Sequence, residues 1–157
     1  MSRKEQATMA MSGIAIDEEV TTLYNDVKMK QTNKYVTFRI EKEKMVIVDE
    51  KGDACKTDDR DVDKEQFEHL KAKLIELNEP RYVLYDFGFT AKGGRKLTKL
   101  AFIYWSPDTG PLKKKMVYSS TKDAVQKKFV GVGAVFEAHD KADLNYDEMA
   151  AEIEKKA

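Results

Sequence analysis

Two stretches of this chain, Arg81-Tyr82-Val83-Leu84-Tyr85-Asp86-Phe87-Gly88-Phe89 and Leu97-Thr98-Lys99-Leu100-Ala101-Phe102-Ile103-Tyr104-Trp105, are almost unbroken runs of apolar and aromatic residues. A strand with one wet face alternates apolar with polar residues, so runs of this kind belong to strands buried on both faces. A turn containing Gly93-Gly94 joins them, which reads as a hairpin. Such a hairpin needs cover on each side. The remaining apolar positions recur mainly at helical spacing, so the cover is helical and the fold class is α/β (α+β): a central sheet with helices on both faces.

The flanking segments supply that cover. Val20, Leu23, Tyr24 and Val27 repeat at helical spacing after Asp17, which is suited to an N-cap, with Glu18 and Glu19 in the favourable first turn. Tyr35–Ile40 alternates, and Met45–Val48 is a short run rich in β-branched residues after a charged turn, so these segments read as a second hairpin. Gly52 to Arg60 reads as a polar loop, with Asp59, Asp61 and Asp63 as a solvated loop and helix start. Phe67, Leu70, Leu74 and Leu77 then mark an amphipathic helix that stops before Pro80. Pro111 opens a third helix, from about Leu112 to Phe129, and Ala134–Ala138 reads as a last short strand. Asn145 caps a terminal helix with Tyr146, Met149, Ala150 and Ile153 on one side. Residues 1–10 show no periodicity and are expected to form a disordered extension, leaving 11–157 as one domain.

The net charge is zero, with 28 basic and 28 acidic residues, so no overall field draws the chain to nucleic acid or membrane. The neutrality is a cancellation. Between Lys92 and Lys128 there are ten basic residues and only Asp108 and Asp123 as acids, whereas Glu41–Glu65 and Phe129–Ala157 each carry a net excess of four acids. This separation predicts a basic face on the third helix and the Gly93-Gly94 hairpin, fitted to an acidic partner surface or a phosphate-bearing lipid. Lysines can merely solvate a helix. Lys113-Lys114-Lys115, however, occupy a first turn, where positive charge opposes the macrodipole, and that misplacement favours a binding role.

The chain shows little sign of catalytic chemistry. Gly131-Val132-Gly133 lacks the third glycine and the strand-to-helix setting of a dinucleotide loop, and no GxxxxGK[ST] run occurs. Lys64 stands where a calcium loop starting at Asp59 requires glycine, and Leu70 where it requires Glu. Cys55, His69 and His139 cannot make a tetrahedral nitrogen/sulfur zinc site without carboxylates. The lone Cys55 suits a reducing compartment. The expectation is a cytoplasmic monomer that is not an enzyme and takes no cofactor, metal or nucleic acid.

Several segments resemble the actin-depolymerising factor/cofilin family: Met11-Ser12-Gly13-Ile14-Ala15, Tyr35-Val36-Thr37-Phe38, Tyr104-Trp105-Ser106-Pro107-Asp108-Thr109 and, most specifically, Pro111-Leu112-Lys113-Lys114-Lys115-Met116-Val117-Tyr118-Ser119-Ser120-Thr121-Lys122-Asp123-Ala124. The resemblance implies the actin-depolymerising homology fold, a mixed central β-sheet flanked by two helices on each face. It also implies binding to actin monomers and filaments, preference for ADP-actin, and filament severing and depolymerisation. The implied monomer surface is Ser12, Gly13, Ile14, Lys113, Lys115, Met116, Thr121, Lys127 and Lys128, with Ile14 and Met116 as adaptable apolar contacts. The implied filament surface is Arg95, Lys96, Lys99 and Lys155. Ser12 corresponds to a regulatory phosphorylation site, acidic phosphoinositides compete for the basic helix, and nuclear entry is left open. A histidine used as a pH sensor in some relatives falls at Ala134. The terminal helix departs from the family pattern, with Ala151-Glu152 where an acid followed by a base is common. A monomer-sequestering or non-severing relative, or a phosphoinositide-binding adaptor, are the alternatives.

Overall fold

The structure is a computed structural model that describes residues 8–9, 12–57 and 59–156. Its strands are β1 (Thr8–Met9), β2 (Ala15–Ile16), β3 (Asn33–Glu41), β4 (Met45–Asp53), β5 (Arg81–Thr90), β6 (Lys96–Trp105) and β7 (Ala134–Ala138). Its helices are α1 (Glu18–Lys30), α2 (Arg60–Leu77), α3 (Leu112–Lys128) and α4 (Tyr146–Lys155). The strands form one mixed sheet in the order β1-β2-β4-β3-β5-β6-β7, parallel at β2–β4 and β6–β7.

The two apolar runs are the long central hairpin, in register from Arg81 opposite Trp105 to Thr90 opposite Lys96. Gly93 and Gly94 take φ values of 92° and 84° in its turn, where a side chain would be strained. Each face of the sheet carries two helices. On one, Val20, Tyr24 and Val27 of α1 and Tyr118 and Val125 of α3 pack on Val36, Phe38, Tyr82, Leu84 and Phe102. On the other, Phe67, Leu70 and Leu74 of α2 and Tyr146, Met149 and Ile153 of α4 pack on Tyr85, Phe87, Ile103 and Trp105. Asp17 and Asn145 cap α1 and α4, their side chains accepting from Glu19 and Glu148 backbone N–H groups.

The structure corrects several expectations. The loop predicted from Gly52 begins later, because Asn33 still pairs with Asp53. Gly52 lies under the Tyr35 ring, where a Cβ would come within 2.3 Å of a ring carbon. Leu77 is outside the α2 stripe and 41% exposed, as the last residue before the left-handed C-cap Asn78. Pro111 is the N-cap of α3 rather than its first helical residue. Asp59 caps α2 by accepting from Asp61 and Val62 N–H groups, but Asp63 is fully buried, not solvated. Thr8 and Met9, placed in the extension, pair with Ile16 and Ala15; the remainder of that extension lies outside the described residues. Among the described residues no helix is long and apolar enough to cross a membrane.

Candidate functional site

Helix α3 is fixed to the sheet by its buried side. The Tyr82 hydroxyl donates to the Tyr118 carbonyl at 2.6 Å, and the Tyr118 hydroxyl accepts from Ile40 N–H at 2.8 Å. Burial pushes both phenols up from their ordinary pKa, so they are neutral hydrogen-bonding groups. Just past the helix, the Val130 carbonyl accepts from the Tyr24 hydroxyl at 2.6 Å and from Lys28 Nζ at 3.1 Å.

The outer side of α3 is not needed by this core. Leu112 is 71% exposed and Met116 64%, one turn apart on the same stripe. Lys113 and Lys127 are also exposed, and Lys115 and Lys128 are half-buried. The first turn has neither a capping side chain nor an acid, yet each of its lysines finds an acceptor. Lys113 lies 3.3 Å from Glu43, Lys114 pairs with Glu79, and Lys115 Nζ donates to the Asp108 carbonyl at 3.1 Å. Such exposed pairs are worth about 0–1 kcal/mol and exchange readily for a partner's carboxylates. Leu112 was missed by the residue-by-residue reading. Its signal was its spacing of four from Met116, which pairs two apolar side chains outside the buried stripe of Tyr118, Thr121 and Val125.

Two residues placed on the monomer surface do not present themselves there. Ile14 is 5% exposed and packs in the core with Ile16, Val20 and Val46, because the chain turns inward at Gly13 to pair Ala15 with Met45. It is therefore not a mobile apolar tip. Thr121 is 0% exposed, and its hydroxyl donates to the Val117 carbonyl at 2.8 Å. Ser12 Oγ lies 2.8 Å from Thr121 Oγ1, so Ser12 is the donor between them, and it also accepts from Ile14 N–H at 3.4 Å. Thr121 thus anchors Ser12 beside α3. Ser12 and Gly13 themselves are exposed.

The four residues of the expected filament set divide between separate clefts. Arg95 and Lys155 meet in a cleft of about 580 Å³ between the β5–β6 hairpin and α4, with Phe89, Leu97 and Ala151 as apolar lining. Lys96 lines another depression with Gln31 and Thr57. Lys99 lines a third, with Tyr24, Lys28 and Asp86. On α4, Lys155 lies 3.5 Å from Glu152, and Glu154 pairs with Arg60 of α2.

The remaining candidates for chemistry are dispersed. His69 is exposed on α2, and Cys55 is half-buried between β4 and α2. His139 bonds Ser106 O and Glu137 Oε2, each at 3.0 Å. The Glu137 hydrogen bond is the main reason its pKa is raised. Its ring ties the end of β7 to the start of the loop that precedes α3.

Comparisons with known proteins agree with this fold. The family described as cofilin/tropomyosin-type actin-binding protein matches residues 13–154. Actophorin of Acanthamoeba castellanii is 34% identical over 146 residues, covering 92% of this chain and 98% of that protein. Cofilin of Schizosaccharomyces pombe is 34% identical over 148 residues, covering 94% and 100%. The crystal structure of Plasmodium berghei actin depolymerization factor 2 superposes with a TM-score of 0.76 at 26% identity, covering 92% of this chain and 99% of that one. With the predicted layers in place and this match across the domain, the chain belongs to the ADF/cofilin family of actin-binding proteins.

Proposed function

We propose that this chain binds actin monomers and filaments, prefers the ADP-bound form, and severs and depolymerises filaments. The observation that carries the reading is the Leu112–Met116 pair, exposed among lysines on a helix whose inner side alone satisfies the core. An adaptable apolar centre within a cationic rim suits a hydrophobic cleft edged by acids. The cleft holding Arg95 and Lys155 supports contact with a second protomer. Binding one filament twist better than another would strain boundaries with bare segments, and severing would follow from that difference in affinity. Phosphorylation of Ser12 would remove its proton from the Thr121 contact and add about two negative charges beside α3, weakening the complex. The lysines of α3 would also let acidic phosphoinositides compete with actin.

A second reading is a relative that binds monomers without severing. It is favoured by the terminal helix, where Ala151-Glu152 stands in place of an acid followed by a base. Imaging single filaments with substoichiometric protein separates the two: internal breaks along filaments are expected, whereas slowed growth without breaks would overturn the severing reading.

A further inference from the structure

Beyond Tyr85, one edge of β5 has no strand beside it among the described residues. β3 pairs with β5 only over Tyr82–Tyr85, whereas β5 continues to Thr90, and its buried backbone groups need partners. Two side chains supply them. Lys34 Nζ donates to the Asp86 carbonyl, and Gly88 N–H donates to Asp63 Oδ2 at 3.2 Å. Lys34 and Asp63 form an ion pair in which both side chains are almost wholly buried. Lys34 Nζ also lies 5.0 Å from the centre of the Tyr85 ring. Asp63 accepts in addition from the Tyr85 hydroxyl at 3.0 Å and the Tyr146 hydroxyl at 2.5 Å.

One carboxylate on α2 therefore holds β3 through Lys34, β5 through Gly88 and Tyr85, and the first residue of α4 through Tyr146. The cleft between the hairpin and α4 begins directly after Gly88, at Phe89 and Thr90. Stability alone does not call for this arrangement, because apolar residues of similar volume often fill such a site as well or better. A carboxylate with several donors aimed at it fixes direction and register, which an apolar side chain cannot.

We infer that Lys34 and Asp63 are a positioning pair for filament engagement: they set the placement of the β5–β6 hairpin relative to α4 and touch no actin themselves. The inference rests on the filament binding put forward under Proposed function. Helix α3 packs on the opposite face of the sheet, so disturbing the pair should separate filament binding from monomer binding.

The test uses Lys34→Met with Asp63→Leu, which removes both charges together, and Tyr146→Phe, which leaves the ion pair intact and releases only α4. Filament pelleting, monomer binding and thermal unfolding are measured for each. The double variant is expected to lose about tenfold in filament affinity and Tyr146→Phe about threefold, while monomer affinity stays within about twofold. Should the double variant fail to fold, Tyr146→Phe alone decides. Equal filament binding by the parent and the variants overturns the inference and leaves the reading of function standing, as does a parallel loss of monomer and filament binding. A parent chain that does not pellet with filaments overturns both.

Discussion

The two helical layers are built on different principles, although each covers one face of the same sheet. Between the sheet and the α1/α3 layer, contacts are largely aromatic, and the buried Asp86 carboxyl lines a depression with Tyr24 and Lys28 of α1. The Phe129 ring lies 5.0 Å from Tyr24, 5.3 Å from Phe102 and 5.6 Å from Phe38, and the Tyr24 and Tyr82 hydroxyls end on backbone carbonyls. Between the sheet and the α2/α4 layer, a buried ion pair sits among Tyr85, Tyr146 and Gly88. The difference shows how each layer can serve a surface. Helix α3 is anchored by its inner side, so its outer residues can change with little effect on the core. Helix α4 takes its place partly from a charge inside the protein, so an interior substitution can reach its surface.

Breaking the ion pair on one side tests this contrast most severely. Lys34→Met leaves Asp63 charged and buried without its partner, and a loss of about 3–5 kcal/mol is expected in urea unfolding. A loss below about 1 kcal/mol would mean that the α2/α4 layer does not depend on the pair and would erase the contrast.

Asp86 offers a smaller and pH-dependent effect. Burial raises its carboxyl pKa from 3.8 to about 6, with Asp63 adding to the rise and Lys34 opposing it. The folded protein therefore holds this proton more tightly than the unfolded chain. Its favourable contribution is complete below about pH 4 and is lost as pH rises through about 6. Asp86→Asn is expected to stabilise the protein at pH 7 by no more than about 3 kcal/mol, and not at pH 3.5. Unfolding at the two pH values checks the sign, and equal gains at both would contradict it.

Where the signal was local, the sequence was legible. The both-face burial of β5 and β6 was readable from residue type, and the caps Asp17 and Asn145 from their place before periodic segments. The turn ending in Pro111 located α3. Contacts between distant residues were not readable. Asp63 looked solvated because it follows two other aspartates in a charged stretch, and only the fold brings it to Lys34, Gly88 and Tyr146. Ile14 and Thr121 were assigned outward, but the inward turn at Gly13 and the hydrogen bond between Ser12 and Thr121 arise only once β2 lies beside β4 and α3 lies over it. Strands β1 and β2 have two residues each, too few to show a period.

The claim that the outer side of α3 binds actin independently of the core is tested most directly by Lys113→Ala with Met116→Ala, measuring actin-monomer affinity beside the unfolding midpoint. The account predicts a loss of about tenfold or more in affinity, with the midpoint unchanged, because both side chains are exposed. Unaltered affinity in a folded variant would contradict it.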